Sequence, residues 1–301
     1  MTAPPAPPTG RIRPGLRRVL AANPSAMTGP GTNSYILGEG EVAVIDPGPA
    51  DEAHLQALLG ALGPGERVTR ILVTHAHRDH SALVPRLAAM TGAEVLAFGD
   101  ALAGRSAAMA RLAAAGPLGG GEGVDAGFRP DRSLADGEEI AGDGWSLTAL
   151  HTPGHFGNHL CFLWGDMAFT GDLVLGWTSS LISPPDGDLG DYLAALGRLQ
   201  ARGATLGLAG HGADIPDLGA RIEALAAHRH ARDLEIRATL AEAPGTAAEI
   251  AGRVYRDIAP SLLPAASRNV LAHLVDLAER GLAAPLDPLA ADARFALVTG
   301  V

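Results

Sequence analysis

The stretch Thr74-His75-Ala76-His77-Arg78-Asp79-His80 constrains this chain more than any other. Three imidazoles and a carboxylate follow directly on the apolar run Ile71-Leu72-Val73. That order reads as a strand ending in a metal-binding turn, because imidazole nitrogen and carboxylate oxygen are donors that a borderline cation such as zinc prefers. Alternate side chains of an extended segment share a face, so His75 and His77 can reach one cation while Asp79 and His80 turn to another. Any fold built around this stretch must present a strand end where further ligands can gather.

Those ligands are visible downstream. His151-Thr152-Pro153-Gly154-His155, Gly171-Asp172 and Gly210-His211-Gly212 each follow an apolar strand pattern. In an α/β fold the ends of several strands converge on one edge, where sites form. His155, Asp172 and His211 therefore join the first cluster, giving a set large enough for two metals with Asp172 as the shared carboxylate. His151 and His159 are candidates either for protonating a leaving group or, the reading we favour, for hydrogen bonding to a ligand from behind or a plain core contact. Arg78 is expected at the surface. His54, His228, His230 and His273 fall on predicted helices without ligand spacing and are expected to be solvated. Cys161, the single cysteine, lies in Leu160-Cys161-Phe162-Leu163-Trp164 and reads as a buried, inert thiol.

The pattern around these residues alternates strand and helix. Strands are predicted over 15–22, 34–37 and 41–45, the last two joined by a turn at Gly38–Gly40 and the last closed by Asp46-Pro47-Gly48. A helix fits 51–62, a strand 68–73, a helix 81–91 and a strand 94–97. Residues 116–132, with Gly119-Gly120-Gly121, read as a flexible excursion. Strands return over 146–150, 160–164 and 167–170, then a helix over 191–201 and a strand over 205–208. The class is layered α/β. After His211 the pattern turns helical, over 218–240, 246–255 and 265–280, with a small hairpin ending at 294–298. Thr246 with Glu249 three residues on is a helix-start signal, and Gly281 a stop. We expect a loose tail over 1–9, a catalytic domain over 10–216 and a winged-helix-like domain over 217–301.

Composition narrows the functional classes. The 301 residues are 47% hydrophobic and 19% charged, ordinary for a soluble globular chain. No apolar run approaches the roughly 20 residues needed to cross a bilayer. Arg11, Arg13, Arg17 and Arg18 raise the question of a transit peptide, but Pro4, Pro5, Pro7, Pro8 and Pro14 prevent the amphipathic helix it needs. With one cysteine and no secretory signal, a reducing cytoplasmic location is expected. There is no lysine, and Ala and Gly abound, which hints at GC-biased coding and a bacterial source. The net charge is −10, and residues 217–301 are themselves acidic, which argues against a dedicated DNA-reading domain. That segment is expected to serve packing, homodimer contact or substrate positioning; Arg253, Arg256 and Arg268 could form a small phosphate-contacting patch, but the solvated reading is favoured.

The ligand spacing resembles the metallo-β-lactamase superfamily, whose His-x-His-x-Asp-His signature appears here as His75, His77, Asp79 and His80. The resemblance implies an αββα sandwich. It gives His75, His77 and His155 to a first metal, Asp79, His80 and His211 to a second, makes Asp172 the bridge, and makes Asp46 a structural residue beside the site. The loop 23–33, the stretch 180–188 and the helical C-terminus are similar to those of the β-lactamase-like protein 2 subgroup, which adds a winged helix. Phe156 and Ala209 depart from the usual pattern. By this resemblance two zinc ions, or other divalent metals, lower the pKa of a bridging water from 15.7 toward roughly 7, and the hydroxide attacks a carbonyl carbon or phosphorus, oriented by Asp79.

Three functions compete. The subgroup includes enzymes that cut single-stranded RNA, so a metal-dependent endoribonuclease is the first reading. A small-molecule thioester or ester hydrolase similar to the glyoxalase II branch is the second. A regulatory protein that binds nucleic acid or a partner around structural metals is the third. Hydrolysis of β-lactams is disfavoured, because no secretion signal places the chain where such drugs act. A basic groove beside the metals would favour RNA; a closed apolar pocket near Phe156 and Trp177 would favour an acyl substrate.

Overall fold

A computed structural model describes residues 5–116, 118 and 123–298; the Gly119-Gly120-Gly121 part of the expected excursion lies outside the described residues. The first sheet takes seven strands in chain order: β1 (Gly10–Arg13), β2 (Leu16–Leu20), β3 (Asn33–Leu37), β4 (Glu41–Ile45), β5 (Arg67–Leu72), β6 (Glu94–Ala97) and β7 (Arg132–Ser133). It is antiparallel from β1 to β4 and parallel from β4 to β7. The second sheet comprises β8 (Glu139–Ala141), β9 (Ser146–His151), β10 (Leu160–Trp164), β11 (Met167–Gly171) and β12 (Leu206–Ala209), adjacent in that order. Only its β11–β12 pair is parallel.

The helices cover the outer faces. α1 (Glu52–Gly60) begins where Asp51 accepts the amides of Ala53 and His54. α2 (Arg78–Ser81) is one turn, and α3 (Val84–Thr91) starts afresh with Pro85 in its first turn, so the single helix expected over 81–91 is two. Proline has no amide to give and fits only at such a start. Next come α4 (Ala107–Ala114), α5 (Leu189–Gln200) and the long α6 (Leu218–Glu242). Leu55, Leu58 and Leu87 pack on Ile36, Val44 and Ile71 of the first sheet. Leu37, Ile45 and Leu72 meet Leu147, Phe162 and Phe169 between the sheets. Leu150, Cys161 and Ala168 of the second sheet carry Tyr192 and Leu196 of α5 and Ile222 of α6. The four layers are thus helix, sheet, sheet, helix, and burying both faces of each sheet accounts for the near-continuous apolar strands. Cys161 is fully buried, which pushes its thiol up to about 12.

Within the expected tail, the Pro8 carbonyl accepts from Arg18 Nε (3.3 Å) and Thr9 Oγ1 accepts the Leu20 amide (3.2 Å). At the other end, β13 (Gly245–Thr246), α7 (Ala247–Val254), α8 (Leu263–Glu279), β14 (Ala283–Pro285) and β15 (Arg294–Leu297) form a compact module with a sheet ordered β13-β15-β14. The reciprocal Thr246–Glu249 cap starts α7. Ile236 and Leu240 bring the second half of α6 into this module, around Val270, Leu274 and Phe295. No helix among the described residues is long and apolar enough to cross a membrane.

Two histidines expected in solvent are instead buried. His54 is 4% exposed and bonds Ser34 Oγ through Nε2 at 2.8 Å. His273 is 1% exposed, shares its α8 face with Val270, Leu274 and Leu277, and has no partner on either ring nitrogen. His228 and His230 are exposed as expected. Burial holds His54 down to about 4; burial and then the charges of Arg229, Arg232 and Arg280 hold His273 down to about 3. The unfolded chain takes up protons at these groups near 6.5, whereas the folded chain resists until far lower. Their contribution to stability is therefore complete above pH 6.5 and is lost as pH falls toward the folded values. His273→Leu should accordingly lose less melting temperature than the parent between about pH 7.5 and about pH 5. Equal losses in a calorimetric comparison would remove His273 from the balance.

Candidate metal centre

Strand ends from both sheets build the site. Asp46 follows the end of β4 and adopts φ +50, a conformation that aspartate tolerates better than most residues. Its Oδ1 accepts the Thr74 amide (2.7 Å), and its Oδ2 accepts the Thr74 hydroxyl (2.7 Å) and His80 Nδ1–H (2.8 Å). β5 then runs out through His75 and His77, and α2 carries Asp79 and His80. The described part of the excursion braces this turn: the Gly123 carbonyl accepts from the Arg78 amide (2.8 Å), the Asp125 amide donates to the Ala76 carbonyl (2.9 Å), and Ser81 Oγ donates to Asp125 (2.9 Å). From residue 123 onward it is anchored, contrary to the expectation of a free loop.

His155 follows β9, Asp172 follows β11 and His211 follows β12. The loop 23–33 holds His211 in place: the Asn33 amide donates to the Gly210 carbonyl (2.7 Å), and Asn33 Nδ2 donates to the carbonyls of Ala209 (2.9 Å) and Gly212 (2.8 Å). Residue 210 must be glycine, since a Cβ there would lie 2.6 Å from Asp172 Oδ1 and 2.7 Å from His80 Cε1.

Every expected ligand arrives. His75 Nε2 and His77 Nδ1 are 2.9 Å apart, and His77 Nδ1 and His155 Nε2 3.1 Å. His211 Nε2 lies 3.3 Å from His80 Nε2, from Asp79 Oδ2 and from Asp172 Oδ2. Asp172 also faces His155 Nε2 at 3.8 Å and His80 Nε2 at 3.6 Å. Three groups, His75–His77–His155, His75–His80–Asp172 and Asp79–His80–His211, each hold their donor atoms within 4.8 Å.

The donors fit a cation. Nitrogens 2.0–2.1 Å from a tetrahedral zinc sit about 3.3 Å apart, close to these spacings. The opposite ring nitrogens are engaged elsewhere: His80 on Asp46, His75 on Thr74 Oγ1 (3.0 Å), His155 on the Leu181 carbonyl (2.7 Å) and His211 on the Gly31 carbonyl (3.1 Å). Such contacts fix the tautomer and aim a lone pair inward. Asp172 Oδ1 is buried without a hydrogen-bond partner, the signature of an oxygen meant for a cation.

Charge divides the site. Burial, then the neighbouring imidazoles, hold His75 well below its ordinary value and His77 down to about 3, the neutral state a metal requires. Burial would lower His80 too, but Asp79, Asp46 and Asp172 carry it well above; against burial, Asp172 and Asp79 bring His211 up to about 9. Burial would raise Asp79 and Asp172, yet the facing imidazoles bring both below the usual carboxylate range.

Other expected residues stand as follows. His159 Nε2 accepts the Asp172 amide (3.2 Å) and Nδ1–H donates to Thr152 Oγ1 (2.9 Å), so it positions Asp172 and has no proton to offer. His151 stacks on Phe98 at 3.6 Å and donates to the Gly157 carbonyl (3.0 Å), touching no ligand. Arg78 is exposed. Phe156 is fully buried with its ring 4.8 Å from that of His77; it backs the ligands and does not line the pocket. The pocket is a cavity of about 940 Å³ that adjoins His77, Asp79, His155, Asp172 and His211. Met27, Leu175 and Trp177 line it together with Tyr255, Ile258, Leu262 and Ala266 of the C-terminal module.

Residues 27–211 match the model of the metallo-beta-lactamase superfamily. The chain belongs to that superfamily of hydrolases. Residues 246–287 match the beta-lactamase associated winged helix domain, so the fold is a metallo-beta-lactamase domain followed by a winged helix. A metallo-beta-lactamase family protein from Thermus thermophilus superposes with a TM-score of 0.76 at 27% identity, covering 96% of this chain and 100% of that one. A beta-lactamase domain protein from Burkholderia ambifaria gives 0.78 at 25% identity, covering 96% and 93%. Among curated relatives, the lactamase-like protein nscB of Neosartorya fischeri is 32% identical over 77% of this chain; the match spans 63% of that protein's length. An atrochrysone carboxyl ACP thioesterase of Aspergillus chevalieri is 30% identical over 79% of this chain and 70% of its own length. Membership of this metallo-beta-lactamase superfamily accords with a divalent-metal site at the cluster.

Proposed function

We propose that the protein is a metal-dependent hydrolase of acyl thioesters, the acyl group being carried on a pantetheine arm, with two zinc ions at the cluster. The observation that carries this reading is the large, largely apolar cavity opening directly onto the clustered donors. Acyl chains bury well in such walls, whereas a single strand of RNA needs a basic track that follows several phosphates, longer than Arg78, Arg229 and Arg268 supply. The relatives named as ACP thioesterases support the same choice.

His75, His77 and His155 would hold one ion, Asp79, His80 and His211 the other, and Asp172 would offer an oxygen to each. Bound cations of this kind make water nucleophilic near neutral pH and offset charge on the substrate's carbonyl oxygen. Asp46 keeps the proton of His80 on Nδ1, so that Nε2 faces the cluster. Asp79, open in part to the cavity, accepts a hydrogen bond from the attacking water and aims it at the carbonyl carbon. Trp177, Leu175 and Met27 exclude bulk water around the acyl chain.

The leaving group decides between the two hydrolytic readings. A thiolate departs unprotonated, because a thiol's pKa is only about 8.5; an alkoxide from RNA needs a proton donor. Neither His151 nor His159 presents one. Zinc-loaded protein is therefore expected to release thiol from a hexanoyl-pantetheine thioester and to leave a fluorescent single-stranded RNA intact. RNA cleavage without thioester turnover would replace this reading by the endoribonuclease one.

A further inference from the structure

Away from the histidines, the cavity holds positive charge that nothing on the protein balances. Arg229 of α6 is 2% exposed, and among the described residues no carboxylate lies within ion-pair distance of it. Its Nη1 donates to Asn269 Oδ1 (3.3 Å), its Nη2 to the Ser180 carbonyl, its guanidinium lies 5.4 Å from the Tyr192 ring, and Nε has no partner. Burying a cation among neutral groups is costly, and such charges are normally paired. Arg268 of α8 lines the same cavity, half-buried, with no hydrogen bond or ion pair from its side chain among the described residues. The acids that line the cavity are committed: Asp79 and Asp172 face the imidazoles, and Asp186 pairs with Arg105 at 2.7 Å.

Arg229, together with Asn269 beside Arg268, is tied to the metal cluster through one short segment. Ser180 gives its carbonyl to Arg229, Leu181 gives its carbonyl to the ligand His155, and the Ile182 amide donates to Asn269 Oδ1 (3.1 Å). Arg229 and His155 thus hold the carbonyls of consecutive residues, and both line the one cavity.

We propose that Arg229 and Arg268 form an anion-recognition subsite at the winged-helix side of the cavity, and that the preferred substrate carries a carboxylate or phosphate remote from its scissile bond. Arg229 is the preset half, held by Asn269 and Ser180; Arg268 is the free half. Planar guanidinium forks bind both oxyanions bidentately. The net charge of −10 does not oppose this, because the positive charge is local to one cavity.

The identity of the cleaved bond rests on the thioester reading; the anion subsite does not. Two substrate pairs test it on zinc-loaded protein: adipoyl against hexanoyl thioesters of N-acetylcysteamine, and hexanoyl-phosphopantetheine against hexanoyl-pantetheine. The charged member of at least one pair is expected to be favoured about tenfold in kcat/KM, mostly through KM, as one charge-assisted bond would give. Arg268→Met should bring that ratio close to one, and Arg268→Lys should retain part of it. A ratio lost in the first pair assigns a carboxylate on the acyl side; in the second, a phosphate on the leaving side. Ratios equal in parent and Arg268→Met for both pairs overturn the proposal while leaving the thioester reading intact. Should no thioester be turned over, calorimetric titration with adipate and with phosphopantetheine decides: binding of either lost in Arg268→Met upholds the subsite, and binding of neither sensitive to Arg268 overturns it.

Discussion

Replacing His77 with alanine is expected to lower thioester turnover by about a thousandfold or more while leaving the far-ultraviolet circular dichroism unchanged. His77 Nδ1 stands between His75 Nε2 and His155 Nε2, at 2.9 and 3.1 Å, so its removal leaves that group with two donors and an open side. The fold should tolerate the loss. The His77 ring is only partly buried, and Phe156 behind it belongs to the core of the first sheet. Metal content measured on the same preparation should fall with activity. Turnover at the parental rate in His77→Ala would mean that hydrolysis happens elsewhere.

Asp46→Asn is expected to weaken metal binding about 10–100-fold, the usual effect of removing a group that orients a ligand. The amide preserves the acceptor for the Thr74 amide, and asparagine also tolerates positive φ, so the backbone turn should survive. What the amide nitrogen cannot do is accept from the Thr74 hydroxyl and from His80 Nδ1–H. His80 would then favour the other tautomer, with a proton on the nitrogen that faces His211 and Asp172. Competition with a chromophoric chelator reads the loss directly. Unchanged affinity would reduce Asp46 to a residue that merely closes a strand.

The cluster was legible because its chemistry is local. His75, His77, Asp79 and His80 sit on one strand exit, and His155, Asp172 and His211 each end an apolar run, so spacing and strand topology together named them. The capping pair Thr246–Glu249 was legible for the same reason. Burial set by distant partners was not. His273 reads as a polar helix residue until Val270, Leu274 and Leu277 are seen to define its face. Arg229 carries the same signal, at helical spacing with Ile222, Leu225, Ile236 and Leu240, and that apolar register was the clue to a buried cation. α4 escaped notice because its alanine-rich run has little apolar contrast, and its burial depends on Met109 and Leu112 meeting the C-terminal module. The two-residue strand β7 owes its place to pairing with β6, which no local pattern announces.

His75, His77, Asp79 and His80 come from the half of the domain that holds the first sheet, and His155, Asp172 and His211 from the half that holds the second. Each group of donors at the expected ligand positions takes members from both halves. A cation held there would act as a clasp across the seam of the sandwich: its binding energy would add to the cohesion that the apolar core between the sheets already supplies, and its loss would lower stability without parting the sheets. The chemistry of the centre and the stability of the sandwich would thus be linked.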